Sequence, residues 1–282
     1  MDEQCLVHGL SPQEADTFER DGYLVVEDAL PEDRVSVLRE MIYRHERQIR
    51  SSGEIGPYEM VHRLGCLDLD QSLLELVDWP QTFPKVWGIL GWNIQLYHTH
   101  VTVTPPRDPN QEVVAKTLGW HQDTGRVNLE MEGNPRPRLS VKVAYFLTDT
   151  TSLGVANMYV LPGSHLKNSL QLPKDGVSNP TGATAIRVKP GTALIFDRRL
   201  WHAASPNDST ELDRVMLAYG YSYRWLKPRD DMPVGPYLAD CDPIRRQLLG
   251  VGSGFSFTSP GAEDVPLRGW LARHRGEDAV AD

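Results

Sequence analysis

Two periodicities divide the chain. Up to about residue 92 apolar residues recur mostly at helical spacing. Beyond it they come in short runs rich in Val, Thr, Tyr and Phe, separated by Pro, Gly and Asp. Ser11-Pro12-Gln13-Glu14 has the form of a helix start, with Ser as N-cap, Pro at the first helical position and an acid in the first turn. Gly22 is placed to end that helix, and the apolar run Tyr23–Val26 predicts a short buried strand. Pro31-Glu32-Asp33 opens a second helix, in which the apolar residues Val35, Val37, Leu38, Met41 and Ile42 recur at helical spacing. The stretch Leu73–Leu90 reads as helix broken by Pro80 and Pro84. Strands are predicted at Ile94–Thr104, Leu139–Leu147, Met158–Leu161, Ala183–Val188, Thr192–Phe196 and Val215–Tyr223. Strands at this cadence form a sandwich or barrel. The expected organisation is one domain: a helical part over about 10–92, a β core over about 93–225 and a C-terminal extension over 226–282. One helix is expected in that extension at Asp242–Leu249, and a disordered tail at Arg275–Asp282.

Charge and composition narrow the function classes. The formal net charge is -9, and no block of Lys and Arg makes a basic face, so nucleic acid is not an expected partner. The pairs Arg198-Arg199 and Arg245-Arg246 read as solvated surface. No run of about eighteen apolar residues is present, which argues against a membrane span. The acidic start MDEQCLVHGL does not read as a secretory signal, so a cytoplasmic location is expected. Cys5, Cys66 and Cys241 are odd in number and widely spaced, which fits free thiols rather than a disulfide framework or a Cys-based zinc site.

The chemistry begins at Gly119-Trp120-His121-Gln122-Asp123. Residues i and i+2 of a strand share a face, so His121 and Asp123 would present an imidazole and a carboxylate together. These are two members of the facial triad that holds Fe(II) and leaves three positions open. A His-x-acid match occurs about once by chance in a chain of this composition, so the motif needs support from elsewhere. His202 supplies it, just after the predicted strand that ends at Phe196, and Arg214 opens the next strand. A dicarboxylate that chelates iron through its 2-oxo acid end buries its far carboxylate, and a planar guanidinium suits that group. His121, Asp123 and His202 are therefore the candidate metal ligands, and Arg214 the candidate partner of 2-oxoglutarate. His165, in Pro162-Gly163-Ser164-His165, reads as part of a turn and not as a ligand.

Four segments in order carry a family resemblance: Phe18–Val26, Trp120-His121-Gln122-Asp123, Met158–His165, and Gly191–Phe196 with His202, Asn207 and Arg214. Together they resemble the phytanoyl-CoA dioxygenase (PhyH) family of Fe(II)- and 2-oxoglutarate-dependent oxygenases, from about Leu10 to Trp225. The resemblance implies a mostly β fold with flanking helices, built on a double-stranded β-helix (a cupin-like jelly roll). It implies Fe(II), with 2-oxoglutarate and dioxygen as cosubstrates. It also implies that His100, on the strand before Pro105-Pro106, and Tyr145 touch the cosubstrate. Two departures stand out. The turn before Pro-Gly-Ser-His reads Gly154-Val155-Ala156-Asn157, and position 204 is Ala where some relatives offer a hydroxyl.

The implied reaction oxidises an unactivated C–H bond, with release of succinate and carbon dioxide. Related halogenases replace the triad carboxylate with a small residue. This chain keeps Asp123, so hydroxylation is expected ahead of desaturation, cyclisation or epoxidation. The expected substrate is a small molecule, by family habit a natural-product intermediate of secondary metabolism. Arg126 and Trp201 are the candidate substrate contacts. Two rival readings remain at this stage: a metal-binding cupin-like enzyme that is not an oxygenase, and a non-catalytic binding member. Loops at Ser51–Tyr58 and Leu129–Pro137 are candidate covers for the site.

Overall fold

The computed structural model describes residues 1–112, 115–123, 125–231, 235–251 and 265–281. Helix α1 (Pro12–Asp21) starts at a complete capping box: Ser11 Oγ accepts from the Glu14 N–H, and the Glu14 carboxylate accepts from the Ser11 N–H. Gly22 ends it with φ 84°, a left-handed conformation that suits glycine. Strand β1 (Tyr23–Val26) and helix α2 (Glu32–Ser52) follow as expected. Strand β2 (Val61–Leu64) was not anticipated. The proline-broken segment resolves into helices α3 (Gln71–Leu74) and α4 (Phe83–Leu90), joined by a 3₁₀ turn at Glu75–Asp78. The rest of the core is β3 (Ile94–Thr104), α5 (Gly125–Glu130), β4 (Ser140–Phe146), β5 (Met158–Val160), β6 (Thr184–Ala185), β7 (Ala193–Asp197), β8 (His202–Ala204) and β9 (Arg214–Tyr223).

Six strands pair antiparallel in the order β1-β7-β4-β9-β3-β2, and three in the order β6-β5-β8. This is the antiparallel β core flanked by helices that the sequence led us to expect. Parity decides what each strand residue meets. On β4, Val141, Val143 and Tyr145 join the large core under the helices, while Ala144 and Phe146 pack with Met158, Val160 and Phe196 on the other side. On β3 the parity changes within the strand. Ile94 and Leu96 face the helices, a bulge intervenes between Leu96 and His98, and from there Val101 and Val103 face the helices. His98, His100 and Thr102 therefore point into the space between the two sheets. Gly220, opposite His98 on β9, makes room for that ring: a Cβ at 220 would lie 2.6 Å from it.

After β9, helices α6 (Pro243–Leu248) and α7 (Pro266–Arg275) return to the core. The Gln247 amide bonds the carbonyls of Trp92 and Ile94 and accepts from the Leu267 N–H. The tail expected to be disordered instead forms a 3₁₀ turn at Glu277–Val280 with Val280 buried; Asp282 lies outside the described residues. All three cysteines are buried and free of disulfides. Among the described residues no helix is long and apolar enough to cross a membrane.

Candidate metal centre

His121, Asp123 and His202 come together, with one ligand atom from each lying within 4.8 Å of the other two. Backbone pairing produces this. The N–H of His121 donates to the His202 carbonyl at 2.9 Å, and the N–H of His202 returns the bond at 3.0 Å. Residues paired in this way project side chains to the same face, and Asp123 joins them two residues on. A further bond from the Asp123 N–H to the Arg198 carbonyl fixes the second arm.

The tautomers follow from the partners. Nδ1 of His121 lies 2.9 Å from the Gly119 carbonyl, and Nδ1 of His202 lies 2.9 Å from the Leu200 carbonyl. A carbonyl only accepts, so each Nδ1 carries the proton and each Nε2 offers a lone pair. Burial pushes the His202 imidazole down to about 4, which keeps it neutral as a ligand must be. Burial alone would raise the Asp123 carboxyl. The charges of Lys142, His202 and His98 and the Lys142 hydrogen bond together outweigh it and hold the group well below the usual carboxylate range.

Lys142 was not anticipated. Its Nζ lies 2.7 Å from Asp123 Oδ2 and 5.5 Å from the centre of the Phe196 ring. It is buried, on the cavity face of β4. The signal was present in Ser140-Val-Lys-Val-Ala-Tyr-Phe146, where one charge interrupts an otherwise uncharged strand.

The triad opens into a cavity of 570 Å³ between the two sheets. Arg214 lines the same cavity. It is 5% exposed, its Nη2 donates to Thr104 Oγ1 at 2.9 Å, and its Nε has no hydrogen-bond partner. Burial alone depresses it to about 10. No carboxylate among the described residues forms an ion pair with it, so a buried cation faces a metal triad across a cavity with its counter-anion still to be supplied. A guanidinium in that setting is complementary in charge to a carboxylate. His100 also lines the cavity with Nδ1 unpartnered, as does Thr102, whose hydroxyl is buried and unpartnered.

Other expected contacts fall elsewhere. Tyr145 is fully buried on the helix-facing side of β4, with its hydroxyl 2.6 Å from Thr82 Oγ1. Its odd position on the strand turns it away from the cavity. Trp201 precedes His202, points to the other side and donates Nε1–H to the Lys167 carbonyl. Arg126 reaches the rim, but its side chain is 80% exposed and paired with Glu130 at 2.6 Å. His165 is buried outside the triad, with Nε2–H donated to the Glu19 carbonyl and its ring against Gly22. The two basic pairs are not both surface. Arg198 and Arg199 are buried, at 1% and 7% exposure, and Arg199 doubly binds the buried Asp197. This network anchors the turn that delivers His202. Arg245 likewise pairs with the buried Asp78.

The sequence profile of the phytanoyl-CoA dioxygenase family, PhyH, matches residues 18–216, more than half the chain. The chain belongs to the phytanoyl-CoA dioxygenase family. Its His-Asp-His triad and its cavity are those of a non-haem Fe(II)- and 2-oxoglutarate-dependent oxygenase acting on a small molecule. Relatives of this PhyH chain include an uncharacterised protein of Mycobacterium tuberculosis, 27% identical over 238 residues, covering 81% of this chain and 82% of that one. The ectoine dioxygenase of Nocardia farcinica is 24% identical over 229 residues, covering 69% and 72%. Among solved structures, HygX of Streptomyces hygroscopicus with nickel and 2-oxoglutarate bound shares the fold at TM-score 0.60 and 16% identity, over 78% of this chain and 90% of that one. The carbocyclase SnoK of nogalamycin biosynthesis shares it at TM-score 0.55 and 19% identity, over 76% and 85%.

Proposed function

We propose that this PhyH-family enzyme hydroxylates an unactivated C–H bond of a small molecule, a natural-product intermediate, in the cytoplasm. The observation that carries the reading is Arg214: a buried guanidinium without an acid partner among the described residues, lining the same cavity as an intact His-Asp-His triad. A cupin-like metal enzyme of another kind has no need of that residue.

His121, Asp123 and His202 would hold Fe(II), and Arg214 would hold the distal carboxylate of 2-oxoglutarate. With oxygen, that pair supplies oxidising power sufficient for a C–H bond, with release of succinate and carbon dioxide. The chain's own residues bind, orient and exclude water. Lys142 keeps Asp123 ionised and engages Oδ2. Thr102 offers a buried, unpartnered hydroxyl from β3 to the same cavity. His100 presents a neutral ring, since burial, reinforced by Lys142, pushes it down to about 2. Ala144, Met158, Phe196 and Met216 provide an apolar wall where a C–H bond can rest.

The test needs no substrate. Fe(II) and then 2-oxoglutarate are added to the purified protein without oxygen, and the visible spectrum is recorded. A weak charge-transfer band that disappears in Asp123→Ala is the expected result. Absence of the band in folded, iron-loaded wild-type protein would overturn the reading.

A further inference from the structure

The cavity wall holds more positive charge than the metal and cosubstrate use. Its described residues include four cations, Arg126, Lys142, Arg214 and Arg229, and one anion, Asp123. Fe(II) and the 2-oxoglutarate dianion offset each other. Asp123 pairs with Lys142, and Arg214 is assigned to the distal carboxylate of 2-oxoglutarate, which leaves the two arginines Arg126 and Arg229, beside Glu130 and Asp230, without a role toward metal or cosubstrate.

Two of the four cations lie at the mouth, and they differ. Arg126 is committed to Glu130 and points into solvent. Arg229 is held from both sides. Its backbone N–H donates to the Tyr97 carbonyl at 2.8 Å, and its Nε lies 3.6 Å from Oδ1 of Asp230, whose side chain is 8% exposed. The Arg229 guanidinium, 45% exposed, lines the cavity and forms no hydrogen bond to the described residues. It stands beside His62, which is neutral at the same rim: burial lowers that imidazole, and the charges of Arg229 and Lys142 lower it further. Arg229 lies beyond residue 216, where the family match ends. The fold therefore brings a cation from outside the matched segment to the site.

We propose that Arg229 is the substrate's anion-binding residue and that the substrate is an acid: an apolar skeleton bearing one carboxylate or one phosphate ester. The apolar wall receives the skeleton near the metal, and Arg229 holds the oxyanion at the mouth with His62 as a neutral neighbour. The proposal rests on the oxygenase reading above and names the substrate class of that same site.

The experiment uses full-length protein loaded with Fe(II) and 2-oxoglutarate without oxygen. The probes are hexanoate, hexanamide and hexyl phosphate, followed by calorimetry and by perturbation of the charge-transfer band. At least one of the two anions should bind about tenfold or more tighter than the amide, the size expected for one charge-assisted contact at a half-exposed site. Whichever anion binds tighter assigns carboxylate or phosphate. Arg229→Gln should erase the preference, and Arg126→Gln should keep it. Circular dichroism and the band with 2-oxoglutarate alone check that each variant is folded and loaded. Failure of both anions to outbind the amide, or a preference that survives Arg229→Gln, overturns the proposal. A wild-type protein that gives no band at all overturns the oxygenase reading instead, so the two failures are distinguishable.

Discussion

Replacing Arg214 with Gln separates two free energies that the structure sets against each other. The guanidinium is 5% exposed and, among the described residues, has one neutral hydrogen bond and no acid partner. Its depression from 12.5 to about 10, caused by burial, corresponds to a cost on the order of 3 kcal/mol for keeping it charged there. A depressed base destabilises the fold while it is protonated, so removing it should relieve the fold. The Gln variant should melt no lower than wild type when metal and cosubstrate are absent. Binding should respond in the opposite direction. Truncating one partner of a buried, hydrogen-bonded charge pair costs about 2–5 kcal/mol. A mid-range loss of about 3 kcal/mol weakens 2-oxoglutarate roughly a hundredfold. The assay is anaerobic titration of the Fe(II) protein with 2-oxoglutarate, read at the charge-transfer band, beside thermal melts of the apoprotein. Arg214→Lys should recover part of the affinity, because it keeps the charge and loses the planar fork. A 2-oxoglutarate Kd within about threefold of wild type in Arg214→Gln, far below the loss expected for such a pair, would refute the reasoning. So would a variant apoprotein that melts well below wild type.

Three further outcomes follow from the same geometry. Tyr145→Phe removes a buried hydroxyl paired with Thr82, so it should cost about 1–2 kcal/mol of stability and leave the 2-oxoglutarate Kd unchanged; a raised Kd would return Tyr145 to the site. Burial, with Lys142 next, pushes His98 and His100 down to about 3 and about 2, so the unfolded chain binds more protons than the folded one from about pH 6.5 down to those values. Stability should therefore be full above about pH 6.5 and fall by roughly 1.4 kcal/mol per pH unit for each histidine below it. Melts of metal-free protein at pH 7, 6 and 5 check this, and a flat profile would contradict it. Asp197→Ala strands Arg138 and Arg199 without their buried carboxylate, which should cost about 3–5 kcal/mol and loosen the turn that leads to His202. Chemical denaturation with an Fe(II) titration tests both parts; unchanged stability would remove that network from the account.

The metal ligands were legible because they obey local rules. Extended residues two apart share a face, and although 121–123 form no strand, the single bridge from His121 to His202 brings the third ligand beside them. Arg214 was legible by the same order along the chain. Tyr145 was misplaced because a resemblance carries over a position but not its parity. The parity was nonetheless available: Lys142 and Tyr145 on β4 face opposite ways, and burying Lys142 under the helices would strand a charge in the core. The one charged residue of that strand identifies its cavity face, and Tyr145 then belongs with Val141 and Val143. The same reasoning handles β3, where apolar residues at 94 and 96 give way to apolar residues at 101 and 103. That change of phase requires an irregularity between them, and the bulge beside His98 is where it falls. Helix α7 was also readable, from Pro266 with Leu267, Trp270 and Leu271 at helical spacing, whereas the six residues of α5 are too few to show a period. Arg198 and Arg199 were misread because charge alone says surface, and only the tertiary fold shows Arg138 and Arg199 converging on Asp197 while Arg198 binds Asn128. Arg229 has no local pattern at all. It reaches the cavity because the segment after β9 crosses Tyr97, a contact between residues 132 positions apart. Residues that perform the shared chemistry are set by periodicity within paired strands, so they can be read from sequence. Residues that choose the substrate come from whatever segment crosses the mouth, so only the folded chain reveals them.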